Sequence, residues 1–487
     1  MAGWLGRRRQ RQRRKKTRHR KTKRAKDVRG DFISSMPDEI LHHILSFTVT
    51  ISAIRTSALS RRWRHLWREL TSLYIHDFGP QARGINQILT HYTAPKIMSF
   101  HLGIYNDNHS TAQINSWIEF AMSRRVQDLS LTFFNHRKYT FPDFFNLSSS
   151  IEQLSVKLRD RHMIPGATVS WESLRNLSLR RCRIRDESIV KIISGCPKLE
   201  FLALYYCALF NCLDLSKSLS LTRLEMKHHP WLSRSTKIIA PNIHYLRLKT
   251  SDTCNLVDVS SLTEAYLDIG IDGNFSFSVD YLLTMVLKMI AKLQNVERLT
   301  VSKTVLQILS VAEIRRFPFR VLRVQTLIVK IKFVRSAIPG TAWLLQNSPG
   351  LKKLIVHTTD KGRMMDDKYV GSYLNSQGLK LDKYWRLKYG AFPTSCETYS
   401  MRSKDSTWKL LASFIECLLR NTKMLETLVV WLGGSDFNAK WFKGLLRMVP
   451  TLSDNTNIQI PESDQIWTRK LQTRTDPDPR RIDSNSN

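Results

Sequence analysis

A short strand pattern built on leucine recurs at nearly constant spacing through most of the chain. Its first leucines are Leu129, Leu154, Leu177, Leu202, Leu224, Leu246 and Leu267, spaced 25, 23, 25, 22, 22 and 21 residues apart. Looser copies follow at Leu299, Leu327 and Leu354. A unit of this length buries its apolar edge only when neighbouring units stack. The spacing therefore predicts an α/β solenoid with a parallel sheet and a continuous leucine core.

The clearest repeat lies between Ser173 and Leu204. Two strands with Leu-x-Leu cores flank a short amphipathic stretch, Asp186–Ile193, which Gly195 and Pro197 bring to an end. Strand, return helix and strand is the organisation of a leucine-rich repeat. Ahead of the repeats, Ile97–Leu102 predicts a strand, and Ala112–Met122 predicts a helix with Trp117 and Phe120 facing inward.

Residues 31–75 predict a bundle of three short helices. Ser34 or Ser35 can cap the first helix, with Pro37 in its first turn. The second is expected at Ala53–Leu59 after the break at Thr50–Ser52, and Ser60 can cap the third. The third helix would carry four apolar residues on one face: Trp63, Leu66, Trp67 and Leu70. A bundle this small is expected to be stabilised by contact with a partner or with the next domain.

The pattern changes after residue 360. Asp360–Tyr384 is polar and predicts a long loop, whereas Trp408–Arg420 predicts a helix followed by a strand at Leu425–Val430. A second helix is expected at Ala439–Met448, and residues 461–487 predict a disordered polar tail.

A basic arm precedes the helical segment. The chain has a formal net charge of +35, and residues 1–30 contain 15 Lys or Arg and one acid, Asp27. Dense like charge with little apolar surface predicts disorder. The composition of the arm favours a nuclear localisation signal that an importin binds, and the alternative is an arm that binds nucleic acid. Its central residues are Arg7, Arg8, Arg9, Arg13, Arg14, Lys15, Lys16, Arg18, Arg20, Lys21, Lys23 and Arg24.

The sequence offers no motif for catalysis or metal binding. Phosphate loops, nucleophile elbows and HExxH patterns are missing, and the seven cysteines have no CxxC pair. An odd cysteine count without a secretory signal predicts reduced thiols in the cytosol or nucleus. The longest apolar runs are short and interrupted by charge, so no membrane span is expected. We therefore expect a non-catalytic protein without a cofactor.

Residues 31–67 resemble an F-box of the plant F-box leucine-rich-repeat family. The resemblance lies in three stretches: Ile33-Ser-Ser-Met-Pro-Asp-Glu-Ile-Leu41, His43-Ile-Leu-Ser-Phe47 and Arg55-Thr-Ser-Ala-Leu-Ser-Arg-Arg-Trp-Arg64. Ser194-Gly-Cys-Pro197 is similar to repeats of that family. Lys383-Tyr-Trp385, Pro393, Cys396 and the helix and strand at 411–430 resemble a degenerate FBD module.

The resemblance implies an adaptor role in a ubiquitin ligase. An F-box of this kind binds a Skp-type adaptor, and through it a cullin and a RING subunit, while the repeats hold a target protein. The adaptor-binding positions carried over from the family are Met36, Pro37, Ile40, Leu41, Ile44, Leu45, Ile54, Leu59, Trp63, Leu66 and Trp67. As apolar residues on short helices, they suit a helix-in-groove interface. Contact is expected foremost at Met36, Pro37 and Ile40, and a core role for Leu41, Leu45 and Trp63.

The chain departs from the family pattern at the turn after the first helix. Thr48-Val49 stands where the family usually has Leu-Pro, and Ser52 where it has an acid. This departure leaves a ligase-independent repeat scaffold as an alternative. The predicted organisation is a basic arm at 1–30, the F-box at 31–75, repeats at 76–360, an FBD-like region at 361–460 and a tail at 461–487. Arginines around the clearest repeat, Arg175, Arg180, Arg181, Arg183 and Arg185, suggest an acidic target as the alternative to a merely solvated face.

Overall fold

The fold was analysed in a computed structural model of the full chain. The structure describes residues 32–77, 84–106, 108–134, 139–162, 168–228, 236–250, 254–270, 278–331, 335–358, 365, 367–379, 418, 422, 424–431 and 457–459. The basic arm, the predicted helix at Ala439–Met448, the tail and nearly all of the predicted helix at Trp408–Arg420 lie outside these residues. The chain divides into two compact units, Met1–His136 and Arg137–Asn487.

The first unit begins with a bundle of short helices. They are α1 (Phe32–Ser35), α2 (Asp38–Ser46), α3 (Thr50–Arg55) and α4 (Trp63–Leu66), with 3₁₀ turns at Thr56–Ala58 and Trp67–Glu69. The first predicted helix corresponds to α2, whose cap is the extended Pro37; Ser34 and Ser35, the expected caps, belong to the separate helix α1. The second begins at Thr50 instead of Ala53, because Val49 supplies the extended cap residue.

Three parallel strands complete the first unit. They are β1 (Ser72–His76), β2 (Ser99–Ile104) and β3 (Asp128–Phe133), with α5 (Ile85–His91) and α6 (Thr111–Ser123) in the connections. In α6, Trp117 is buried as predicted and Phe120 is half-buried. Strand β1 begins at Ser72, so the first repeat strand lies inside the segment assigned to the helical bundle.

The second unit is built on a long parallel sheet that confirms the predicted fold class. Its strands, in spatial order, are β5 (Gln153–His162), β7 (Asn176–Arg183), β8 (Phe201–Tyr205), β10 (Arg223–Lys227), β12 (Tyr245–Thr250), β14 (Glu264–Ile269), β15 (Arg298–Val301), β16 (Thr326–Ile331), β17 (Lys353–Thr358), β18 (Thr427–Trp431) and β19 (Asn457–Gln459). The strand order follows the chain, as stacked repeats require.

The predicted leucines form a ladder in the core. Leu154, Leu177, Leu202, Leu224 and Leu246 occupy paired positions on successive strands and are buried. The assignment of Leu267 to this ladder was wrong, because Leu246 pairs with Ala265 and Leu267 pairs with Leu248. The ladder position on β14 is therefore held by a smaller residue, and the ladder resumes at Leu299.

The connections behind the sheet change along the chain. The earlier ones contain the two-stranded β4 (Leu147–Ser148) and β6 (Ser170–Trp171), then α7 (Asp186–Ser194), then the three-stranded β9 (Cys212–Asp214), β11 (Thr236–Ile239) and β13 (Cys254–Asp258). The later connections contain longer helices: α8 (Val279–Ala291), α9 (Lys303–Ile314), α10 (Ile338–Gln346) and α11 (Asp367–Ser376). None of the helices within the described ranges has the length and apolar character needed to span a bilayer.

Helix α11 corrects the predicted loop at Asp360–Tyr384. Val370 and Leu374, four residues apart, are buried. The Tyr373 hydroxyl donates to Asp280 Oδ1 on α8 at 2.6 Å. An isolated pair of apolar residues in a polar stretch gave too weak a periodic signal to reveal this helix.

Helix α9 is buried along its whole length and packs tightly on α10. At Gly340 the two backbones approach so closely that a Cβ atom would lie 2.1 Å from the Leu306 carbonyl oxygen and 2.6 Å from the Ser310 nitrogen. The Gly340 N–H also donates to Ser310 Oγ at 2.7 Å.

Replacing Gly340 by alanine should therefore destabilise the second unit, although alanine normally favours a helix. We expect a loss of about 1–3 kcal/mol, since the backbones must separate to admit the methyl group. Urea unfolding followed by circular dichroism measures this. Gly371→Ala on α11, where a Cβ atom meets nothing within 4 Å, is the matched control and should be neutral or stabilising.

Candidate functional site

The N-terminal bundle is held together by a small apolar core. Its buried members are Leu41, Leu45, Ala53, Trp63, Leu66, Trp67 and Leu70, and Met36, Ile54 and Ile88 pack against them. Leu41 and Leu45 lie one helical turn apart on α2, which directs both toward Trp63 and its neighbours. This arrangement fixes which face of α2 points away from the bundle.

The face of α2 next to the buried one carries an exposed apolar stripe that its C-cap residue, Phe47, extends. Ile40, Ile44 and Phe47 follow each other at intervals of four and three residues, and 43% of Ile44 and 78% of Phe47 are exposed. The ring of His43 meets Phe47 edge-on at 4.8 Å. Pro37 and Leu59 are exposed on the same bundle. A short helix with apolar residues on both faces is suited to bury one in its own core and the other against a partner.

Two separated motif segments are joined by Arg62. Its Nε donates to Asp38 Oδ1 at 2.6 Å, and its guanidinium also donates to the Met36 carbonyl oxygen. The Leu-Ser-Arg-Arg-Trp stretch is thereby tied to the Met-Pro-Asp stretch that begins α2. Both charged groups are partly exposed, so the pair contributes about 0–1 kcal/mol to stability and acts chiefly by positioning the start of α2.

The turn at Thr48-Val49 keeps a regular geometry despite its unusual sequence. Val49 has φ −66° and ψ 145°, and φ −66° is the value that proline would impose. Thr48 Oγ1 donates to the Leu45 carbonyl oxygen at 2.8 Å. The buried Thr50 hydroxyl accepts the N–H of Tyr74 at 2.7 Å, which links α3 to β1. The backbone of this turn is therefore one that a proline at position 49 could also adopt.

The predicted adaptor positions fall into three groups by their exposure. Pro37, Ile40, Ile44 and Leu59 are exposed, and Met36 and Ile54 are half-buried against the core. The five remaining positions are buried within the bundle, and a core role was expected for the first three: Leu41, Leu45, Trp63, Leu66 and Trp67. They shape the surface, and the exposed group is available to a partner.

Two exposed apolar residues were missed as contact candidates. Phe47 extends the stripe of α2, and Ile33 on α1 is 52% exposed. Phe47 lies three residues after Ile44, so helical spacing would have placed it on the stripe. The basic-arm positions cannot be compared in this way, because they lie outside the described residues.

The described cysteines are free thiols within the repeat core. Cys182, Cys196, Cys207 and Cys254 are buried, and burial raises the pKa of Cys196 and of Cys254 to about 12. Thiols that stay protonated are poor nucleophiles and poor metal ligands. In the part of the chain that the structure describes, no three His, Cys, Asp or Glu side chains are grouped for a metal ion.

Comparison with known proteins places these features in a family. An F-box domain model matches residues 33–73, and the model described as At1g61320/AtMIF1, LRR domain, matches residues 88–429. The F-box/LRR-repeat protein At5g02910 of Arabidopsis thaliana is 47% identical over 435 residues, covering 88% of this chain and 94% of that protein.

A second Arabidopsis thaliana relative, the putative F-box/LRR-repeat protein At3g28410, is 50% identical over 439 residues, with 88% of this chain and 93% of the relative covered. The F-box model spans the bundle that bears the α2 stripe, and the repeat model spans most of the leucine ladder. The chain belongs to the plant family of F-box/LRR-repeat proteins.

Proposed function

We propose that this chain is the target-recognition subunit of a Skp–cullin–F-box ubiquitin ligase. The observation that carries the proposal is the exposed stripe of Ile40, Ile44 and Phe47 on a helix whose other face is buried. An apolar stripe of this kind suits the groove of a Skp-type adaptor. Family membership supports the same role.

The protein performs no bond chemistry in this proposal. The α2 stripe attaches it to the adaptor, and through that to the cullin and RING subunits, while the repeat sheet holds the target. Tethering raises the effective concentration of the target lysines near the ubiquitin thioester. The buried thiols of the repeats take no part.

Co-purification with a Skp-type adaptor tests the proposal. The full chain and the adaptor are expressed together, and a stoichiometric complex is expected on size-exclusion chromatography. Absence of a complex with the folded wild-type chain would reject the ligase role and favour a ligase-independent repeat scaffold. Val49 holds a φ of −66°, the value that proline would impose, so the backbone of the Thr48-Val49 turn is compatible with this complex.

We further propose that residues 1–30 direct the protein to the nucleus through an importin. Deleting them removes 15 basic residues, and we expect nuclear accumulation of a fluorescent fusion to be lost while adaptor binding remains. Deletion of residues 461–487 serves as the control and should leave localisation unchanged. Unchanged nuclear accumulation without the arm would refute the signal. Loss of RNA or DNA binding at moderate salt would favour the nucleic-acid alternative.

A further inference from the structure

The outward face of the repeat sheet brings charged and aromatic side chains together in register. Tyr205, Lys227, Lys249 and Asp268 occupy paired positions on β8, β10, β12 and β14. Two residues earlier on the same strands, Glu225, Arg247 and Tyr266 form a second row. Parallel pairing with 4.7–4.9 Å between strands packs these side chains against one another.

The cations of this face lie over tyrosine rings. Lys227 Nζ is 4.8 Å and Arg180 Cζ is 5.1 Å from the ring centre of Tyr205. Lys330 Nζ is 4.5 Å and Arg247 Cζ is 4.9 Å from the ring centre of Tyr266. Each tyrosine therefore contacts two cations. These contacts restrict the long side chains, which lowers the conformational entropy that they lose when they bind a ligand.

The two carboxylates within the cluster are recessed and already engaged. Glu225 accepts the Tyr205 hydroxyl at 2.5 Å and faces Arg247 at 3.9 Å, and Asp268 pairs with Lys249 at 3.0 Å. The side chains of Glu225 and Asp268 are only 12% and 18% exposed, against 38% for Arg247 and 48% for Lys249. The solvent-exposed surface of the cluster is therefore more positive than its numbers of acidic and basic residues alone would give.

The positive charges of this face also repel one another. Burial first, and then the neighbouring charges of Arg247, Arg180 and Lys249, lower the pKa of Lys227. Burial and the charges of Arg247 and Lys249 likewise lower the pKa of Lys330. Five cations, Arg180, Lys227, Arg247, Lys249 and Lys330, face two acids, so an added anion would relieve repulsion.

We propose that this cationic face, defined by Arg180, Lys227, Arg247, Lys249 and Lys330, binds an extended acidic peptide segment of the target protein. Charge complementarity supplies the attraction, and the tyrosine rings set the positions of the charges. The site rests on the proposed function, since it is the target that the ligase subunit would hold. Of the arginines that suggested an acidic partner from the sequence, Arg180 belongs to this face, whereas Arg175 pairs with Glu200.

An acidic peptide fits this face better than a nucleic acid does. Binding of single strands relies on aromatic faces that are open to stack with bases. Here the rings of Tyr205 and Tyr266 are already covered by cations. What remains available is a set of positioned N–H donors, which match carboxylate oxygens.

Photo-crosslinking to the full chain tests the proposal, because it separates this face from the basic arm. The probe is a dodecaglutamate peptide with a benzophenone at one end, and crosslinked positions are mapped by mass spectrometry. The test variant is Lys249→Gln/Lys330→Gln, which removes two charges without placing an acid beside Asp268. The matched control is Lys217→Gln/Lys237→Gln, two cations outside the main sheet and exposed to solvent.

Crosslinks to β7–β16 are expected in the wild type, reduced on the order of ten-fold in the test variant and by added salt, and unchanged in the control. Crosslinks confined to residues 1–30, or equal in both variants, would overturn the proposal. So would a benzophenone-bearing oligothymidine that labels this face more strongly than the peptide does. The adaptor complex is measured on the same preparations. A test variant that keeps the adaptor but loses the peptide supports the face, and a wild type that binds peptide without adaptor rejects only the ligase role.

Discussion

Replacing Ile44 by aspartate is expected to weaken the complex with a Skp-type adaptor by about 100-fold, equivalent to about 2.7 kcal/mol. Ile44 lies at the centre of the α2 stripe, between Ile40 and Phe47. A carboxylate in the middle of an apolar contact must be desolvated without a partner, which costs several kcal/mol. Isothermal titration calorimetry with the purified adaptor measures the change.

The fold of the bundle should survive this substitution. Ile44 is 43% exposed and the core beneath it is formed by Leu41 and Leu45, so circular dichroism of the variant should match the wild type. Val190→Asp provides the matched control, because Val190 is 55% exposed on α7 in the other unit. If both variants bind the adaptor as the wild type does, the placement of the interface on α2 is wrong.

Replacing Trp171 by alanine is expected to destabilise the second unit by about 3–5 kcal/mol. Trp171 is fully buried, its indole N–H donates to the Phe145 carbonyl oxygen at 2.9 Å, and its ring meets Phe145 edge-on at 5.7 Å. Truncation leaves a large cavity and a carbonyl without its donor. Urea unfolding followed by far-ultraviolet circular dichroism, which does not depend on tryptophan fluorescence, measures the loss.

The same substitution at Trp431 is the control. That ring is half-buried and stacks on His357 with centroids 5.8 Å apart, so its removal creates no closed cavity. We expect Trp431→Ala to cost about 1 kcal/mol or less. Equal losses for the two variants would mean that the segment around Phe145 and Trp171 does not support the repeats.

The repeat architecture was predictable because its signal is redundant. Leu177, Leu202 and Leu224 each mark a buried strand, and their regular spacing is by itself enough to imply stacking. Ala265 marks a ladder position that the leucine spacing did not predict. A leucine two residues away, Leu267, also faces the core, so period-two alternation could not decide which position continues the ladder.

The candidate adaptor site was predictable as a segment, and within it the core role of Leu41, Leu45 and Trp63 was predicted correctly. Helical spacing places Leu41 and Leu45 on one face and Ile40 and Ile44 on another, yet both faces are apolar. The packing of Trp63, Leu66 and Trp67 in the folded bundle shows which of the two faces is core. The pairing of Arg62 with Asp38 was equally hidden, since it joins residues 24 apart through the folding of the bundle.

The complete burial of α9 has a consequence for where the chain can end. Residues of α9 that would normally face water, such as Gln307, are enclosed, and Gln307 is bonded to the backbone of Met365 through both its donor and its acceptor. Met365 and α11 thus help to cover the end of the last helices, as a capping repeat does. A chain truncated at residue 360 would expose the end of the solenoid that these residues cover. We expect such a shortened protein to aggregate.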